Sequence, residues 1–239
     1  MSFYAQFASH YEQVFPFRRA TLEFLAARLP ASGRVLDLGC GTGHHAGALA
    51  ARDLEVIGVD LDEAMIASAR ERYGTARFVT GDLTEVASLT EYADGAYCIG
   101  NVLPHLPPDG RGTFLLSLAD VLGPGAPWIV QTVNFDRLIP LQHPHDFPPL
   151  AVDGGLVFHR RYEPRGQGAI AFRTSLERDG ERLFAGEATL WPLTSRDLAL
   201  GHATVGIELV DELGSFGGEA FDPTASAGCV QVYRRKAGS

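Results

Sequence analysis

The sequence predicts an α/β protein: a mostly parallel sheet with helices on both faces, and a small antiparallel sheet inserted late in the chain. Three observations predict it. Between residues 34 and 133, short apolar runs alternate with stretches of helical periodicity. That alternation requires parallel strands joined by right-handed crossovers. The run at 35–38 turns through Gly39, Gly41 and Gly43 into a segment carrying Ala46, Ala48 and Leu49, as a buried strand does when it turns sharply into a helix. Period-two alternation appears only after about Leu138, where Ile170, Phe172, Thr174 and Leu176 oppose Ala171, Arg173, Ser175 and Glu177, and Asp179-Gly180 signals a hairpin. The expected division is therefore 1–137 for N-terminal helices and most of the core, 138–192 for the inserted sheet, and 193–239 for the rest of the core.

Each element has its own warrant. Phe3, Phe7, Tyr11 and Val14 recur at helical spacing and Pro16 ends that segment. Leu22, Leu25 and Leu29 mark a second helix over 21–29. Strands are expected at 34–38, 55–61, 76–80, within 92–100, and at 127–133. The helices between them fall at 44–52, 63–73 and 108–122. In the last, Phe114, Leu118 and Val121 face inward, and Gly123-Pro124-Gly125 stops the helix. The insertion holds about three strands, near 156–162, 170–177 and 183–191. Thr194, with Asp197 three residues on, reads as a helix N-cap, and strands at 207–213 and 229–235 close the chain.

Composition narrows the partners. The 239 residues carry a formal net charge of −9 and a pI near 5.3. A nucleic-acid substrate needs a basic face, so none is expected. Cys40, Cys98 and Cys229 are odd in number and widely spaced, as in reduced cytosolic thiols. No signal peptide or membrane-length apolar run is visible, so a cytoplasmic protein without membrane partners is expected. His143, His145 and Asp146 match no common zinc spacing, and no metal is expected.

Candidate site residues cluster at strand ends. In an open α/β sheet, ligands bind outside the carboxyl ends of the strands. Asp37, Asp60 and Asp82 stand there, one per successive strand. The dinucleotide fingerprint G-x-G-x-x-G fails, because His44 occupies the third glycine position. An acid two residues before the first glycine is poor company for a pyrophosphate and good company for an amine or hydroxyl. His105, in the loop after the fourth strand, is the candidate general base, with Asn101 beside it. Asn134 and Arg137 follow the fifth strand, where a guanidinium could fork onto an acceptor carboxylate.

The pattern acid-x-Gly-x-Gly-x-Gly at 37–43 resembles the first motif of class I S-adenosylmethionine (SAM)-dependent methyltransferases. The run Gly100-Asn101-Val102-Leu103-Pro104-His105-Leu106, the segment 134–137 and the inserted sheet are similar to small-molecule N-methyltransferases of the glycine/sarcosine and amino-sugar type. The resemblance implies a Rossmann-like, seven-stranded sheet with the last strand antiparallel. It implies SAM as cofactor and S-adenosylhomocysteine as product, with methyl transfer to nitrogen or oxygen of a small polar metabolite. The alternative is a SAM-binding protein that transfers nothing. By position, Asp37, Gly39, Cys40, Gly41 and Gly43 would wrap the methionine end. Asp60 and Leu61 would take ribose and flank adenine, Asp82 and Leu83 would bind adenine, and Ile99, Gly100 and Asn101 would lie along the methionine portion. Tyr11 would contact the cofactor, and Tyr4 the acceptor together with Asn134 and Arg137. The family also implies that the inserted sheet roofs the site and supports a homodimer. One departure is 198–206, a helix leucine-rich in the family; a frayed or shifted helix is expected here.

Overall fold

The computed structural model describes residues 10–139 and 143–237. The amino-terminal half alternates as the sequence predicts. Helices α1 (Tyr11–Val14) and α2 (Arg19–Ala26) precede β1 (Gly33–Leu38), α3 (His44–Ala50), β2 (Leu54–Asp60), α4 (Glu63–Arg72), β3 (Arg77–Thr80), α5 (Val86–Leu89), β4 (Gly95–Cys98), α6 (Pro108–Val121), β5 (Pro127–Val133) and the single turn α7 (Phe135–Leu138). The strands lie in the order β3-β2-β1-β4-β5, all parallel. Two later strands, β11 (Ile207–Leu213) and β12 (Gly228–Arg235), complete this sheet after α8 (Ser195–Thr204). The final strand β12 slots antiparallel between β5 and β11, which makes seven strands.

Helices cover both faces, and that explains the continuous apolar runs. On one side Leu36, Leu38, Val59, Trp128 and Tyr233 pack with Phe114 and Leu118 of α6 and Leu198 of α8. On the other, Val35, Val56, Tyr97 and Ile129 pack with Leu25 of α2, Leu49 of α3 and Ile66 of α4. Asp37 shares the parity of Val35, so the strand carries a carboxylate into the second layer, where it is 3% exposed.

The second sheet comprises β6 (His145–Asp146), β7 (Leu150–Val152), β8 (Leu156–Pro164), β9 (Ile170–Arg178) and β10 (Glu181–Leu190). Its order is β10-β9-β8-β6, with β7 also pairing β8, all antiparallel. Two short strands thus join the three expected, too brief to show a period. Asp179 and Gly180 have φ of 52° and 82°, the two left-handed positions of a type I′ turn. One face of this sheet is apolar. Phe158, Leu176 and Phe184 pack on Tyr11, Val14 and Phe15 of the α1 region, and Tyr162 and Leu190 pack on Phe135 and Leu138 of α7.

The expected fraying after Thr194 does not occur. Thr194 accepts from the Asp197 N–H while the Asp197 carboxylate accepts from the Thr194 N–H, a complete capping box. His202 anchors the far end. Its Nδ1 lies 2.6 Å from the Leu198 carbonyl and its Nε2 accepts from Trp128 Nε1 at 2.8 Å. Burial pushes its pKa down to about 4.

Candidate active site

A crevice of about 340 Å³ opens at the carboxyl ends of β1 to β4. Its floor is the glycine turn. Gly39 N and Cys40 N both donate to the Val59 carbonyl, which ties the turn to the end of β2. Gly39 has φ +83°, and a Cβ there would stand 2.5 Å from Val102 Cγ1. Gly41 has φ +55°, and a Cβ would project toward the Tyr11 ring at 3.4 Å. Both glycines line the crevice. Gly43 does not. It lies under α3, where a Cβ would meet Phe78 at 2.6 Å, so its bareness serves helix–strand packing.

The three acids sit in three different environments. Asp37 lies behind the turn, hydrogen-bonded by the Tyr97 hydroxyl at 2.8 Å. Burial raises its pKa to about 7, the Tyr97 bond opposes that rise, and the Asp60 charge adds to it. Asp60 lines the crevice and accepts from Gly41 N at 2.8 Å and Asp62 N at 3.0 Å. Its pKa is also raised by burial, against those backbone hydrogen bonds. A carboxylate holds about four acceptor sites, so lone pairs remain for a ligand diol. Asp82 is exposed and caps the turn after it, accepting from Thr84 N and Oγ1 at 2.8 Å each. It too borders the crevice.

Other lining residues form the walls. Leu61 is 72% exposed, an apolar platform held in the open, and Leu83 and Met65 stand with it. Tyr11 covers the glycine turn. His105, in the turn after β4, closes the opposite side with Val102, Leu106 and Pro107. Burial lowers its pKa to about 4, which keeps it neutral at neutral pH. Gly100 is held by its N–H to Gln131 Oε1 at 2.8 Å. Ile99 packs into the α2/α3 layer, and the Cys40 thiol points back over the Gly41 carbonyl at 3.7 Å.

Several expected site residues have other work. Asn101, at φ +66°, accepts from Val133 N at 2.9 Å and donates to the Tyr162 hydroxyl at 3.4 Å. Both ends of its amide are engaged, so it couples the β4 loop to β5 and the second sheet rather than handling a proton. Asn134 is fully buried. It caps α7 through Arg137 N and donates to the carbonyls of Asp222, Pro223 and Ser226. Its carboxamide fastens the loop before β12 and is not offered to an acceptor. Arg137 is exposed and borders neither the crevice nor the cavity beside α7. Tyr4 lies outside the described residues. No group of three metal-ligating side chains occurs among the described residues.

Asp62 was not among the expected site residues. It caps α4, accepting from Ala64 N and Met65 N, and it borders the crevice. Tyr97 and Tyr162 gave no signal in the sequence beyond their apolar setting. A cavity of about 230 Å³ lies between α7 and the second sheet, bounded by Phe135, Leu138, His145 and Tyr162. Tyr162 stands between it and Asn101.

Sheet order and a strand-end crevice define a Rossmann-like protein built to take a nucleoside-bearing ligand. The buried acids behind bare glycines suit a cationic ligand and repel a pyrophosphate. Comparison with known proteins agrees. Residues 35–125 match the methyltransferase domain family. The chain is 33% identical over 174 residues to a trans-aconitate 2-methyltransferase of Variovorax paradoxus, covering 61% of this chain and 67% of that one. It is 35% identical over 92 residues to a malonyl-[acyl-carrier protein] O-methyltransferase of Pectobacterium atrosepticum, covering 38% and 36%. The chain thus spans about two thirds of the first relative and a third of the second. Among solved structures, the CcbJ methyltransferase of Streptomyces caelestis superposes with a TM-score of 0.84 at 22% identity, covering 99% of both chains. The SAM-bound amino pentose methyltransferase CalS10 of Micromonospora echinaspora gives 0.66 at 21%, covering 90% and 88%. The chain belongs to the SAM-dependent methyltransferases, with SAM as its cofactor.

Proposed function

We propose that this methyltransferase acts on a nitrogen or oxygen of a small polar metabolite held between the crevice and the apolar face of the second sheet. The observation that carries the reading is the continuity of those two surfaces: Tyr11 roofs the glycine turn and packs on the second sheet, while Asn101 joins the β4 loop to Tyr162. In this reading residues 138–192 form a lid, and 1–137 with 193–239 form the cofactor core. Similar proteins bear names from both chemistries, a malonyl-[acyl-carrier protein] O-methyltransferase and a sugar N-methyltransferase.

When bound, SAM supplies an activated methyl, so the acceptor–carbon bond forms as the carbon–sulfur bond breaks and S-adenosylhomocysteine leaves. The protein's share is alignment, which can be worth about 7–11 kcal/mol. Asp60 would accept from the ribose hydroxyls, Leu61 and Leu83 would flank the base, Asp82 would accept from its amino group, and Asp37 would balance the ammonium through the turn. His105 is neutral, the state a proton acceptor needs. With a pKa of about 4 it is a weak base, so an acceptor that ionises readily suits it best. The acidic surface favours a small acceptor over nucleic acid, and the ion-paired outer face of the second sheet is the proposed homodimer contact.

The test is incubation with methyl-labelled SAM and a low-mass cell extract. Label in a small product supports the reading. Binding of S-adenosylhomocysteine without transfer to any fraction favours the alternative, a SAM-binding protein.

A further inference from the structure

The second sheet presents two unlike faces. On its outer face every arginine of the central rows meets a carboxylate: Arg161 with Asp146 and Glu163, Arg173 with Glu163 and Glu187, and Arg165 with Glu187. The inner face is the one packed on α1 and α7. Along β8 it carries Leu156, Phe158, Arg160 and Tyr162, and across β9 Phe172, Thr174 and Leu176. Arg160 and Thr174 are directly opposed in register. They are the two polar side chains in the middle of this face, between the cluster that reaches Tyr11 and the cluster that reaches Asn101 through Tyr162.

Each keeps an unmet polar atom. Arg160 has no carboxylate partner among the described residues, and no Asp or Glu occurs in the rest of the sequence. Its Nη2 donates to the Pro148 carbonyl at 3.1 Å and its guanidinium lies 5.3 Å from the Phe147 ring centroid. Its Nε is buried with no hydrogen-bond partner. Thr174 is 5% exposed, and its Oγ1 is likewise buried and unpartnered. Leaving a cation and a hydroxyl unpaired on an apolar face is costly unless a ligand completes them.

We propose that Arg160 and Thr174 form an acceptor-binding site for a carboxylate, so that the methyl acceptor is a carboxylic acid. The guanidinium edge receives one carboxylate oxygen, and the Thr174 hydroxyl donates a second hydrogen bond. Tyr162, next on the same face and within hydrogen-bond distance of Asn101, bounds the acceptor on the cofactor side. The carboxylate serves as a handle, whichever atom of the acceptor takes the methyl. This rests on the small-metabolite reading above.

The experiment separates a low-mass cell extract by anion exchange into retained acids and an unretained remainder, and offers each with methyl-labelled SAM. Label is expected in products of the retained fraction. Arg160→Gln should lower transfer by about 10–150-fold, the range for losing a hydrogen bond to a charged group. Arg160→Lys should raise KM for the retained fraction while keeping most of kcat, and Thr174→Val should raise it several-fold. Affinity for S-adenosylhomocysteine should stay at the wild-type value in all three variants, and Tm of the ligand-free protein should stay at or above it, since each change removes or softens an unmet polar group. Label arising from the unretained fraction alone overturns the proposal and leaves the small-metabolite reading intact. Wild-type KM for Arg160→Lys and Thr174→Val overturns it even if Arg160→Gln does not fold. Transfer from neither fraction, with S-adenosylhomocysteine bound, overturns both.

Discussion

The Tyr97 hydroxyl should set the pH range over which the cofactor binds. Tyr97 is fully buried, and its only polar atom donates to Asp37 at 2.8 Å. Asp37 has a pKa of about 7 in the ligand-free protein, and a cationic ammonium is held only by its ionised form. One pH unit below that value, ionising the carboxyl costs about 1.4 kcal/mol, or tenfold in affinity. Tyr97→Phe keeps the ring and removes the donor. A hydrogen bond to a charged group contributes about 1.5–3 kcal/mol, so the midpoint of the affinity–pH curve should rise by about one to two units. At pH 7, where the wild-type carboxyl is half ionised, the variant should bind S-adenosylhomocysteine about 5–50-fold more weakly, and the gap should close as pH rises. Calorimetry from pH 6 to 9 in two buffers of different ionisation enthalpy reads both affinity and proton release. The ligand's own titration is common to both proteins and cancels in their ratio. Superimposable curves for wild type and variant would refute the assigned coupling.

Three further outcomes are expected. Gly41→Val places a side chain in the crevice at a left-handed φ and should weaken S-adenosylhomocysteine binding at least 30-fold, by roughly 2 kcal/mol; unchanged affinity in calorimetry would sink the placement of the cofactor over this turn. His202 binds its proton more weakly folded (about 4) than unfolded (about 6.5), so the unfolded chain is protonated first. Stability is therefore full above about pH 6.5 and is lost as pH falls toward 4, by up to about 3 kcal/mol. His202→Gln retains an acceptor for Trp128 and should lose correspondingly less between pH 7 and 4.5 in urea titrations followed by tryptophan fluorescence; an identical acid loss would count against it. Asn134→Ala removes a cap and three carbonyl contacts and should cost about 2–4 kcal/mol with KM for the acceptor unchanged; a raised KM in a variant of normal stability would restore the acceptor role expected from sequence.

Much of the frame was legible because it depends on local rules. Apolar runs flanked by glycines gave the parallel strands, and the Thr194/Asp197 pair gave the start of α8 despite its unusual composition. The sequence Asp179-Gly180 gave a hairpin whose φ values are those such a turn requires. Asp60, Asp82, Leu61, Leu83 and His105 could be placed at one crevice because parallel strands present their carboxyl ends on one side. What stayed hidden depends on contacts between residues far apart in the chain. Asn134 looks like any polar residue after a strand until the loop at 222–226 folds over it. Asp37 reads as a strand-end acid like the other two until Tyr97, sixty residues away, is seen to hydrogen-bond its carboxylate.

The class was readable from the order of residues alone, because the spacing of glycines and acids along successive strands is a one-dimensional property. Which polar groups are consumed within the protein, and which remain for a ligand, emerges from packing in three dimensions. Hydrogen-bond capacity is finite, and its allotment is settled by register and burial. Asn101, Asn134 and Arg160 show it, for the chain alone gives no sign that the two amides are fully occupied and that the arginine keeps its Nε unpartnered.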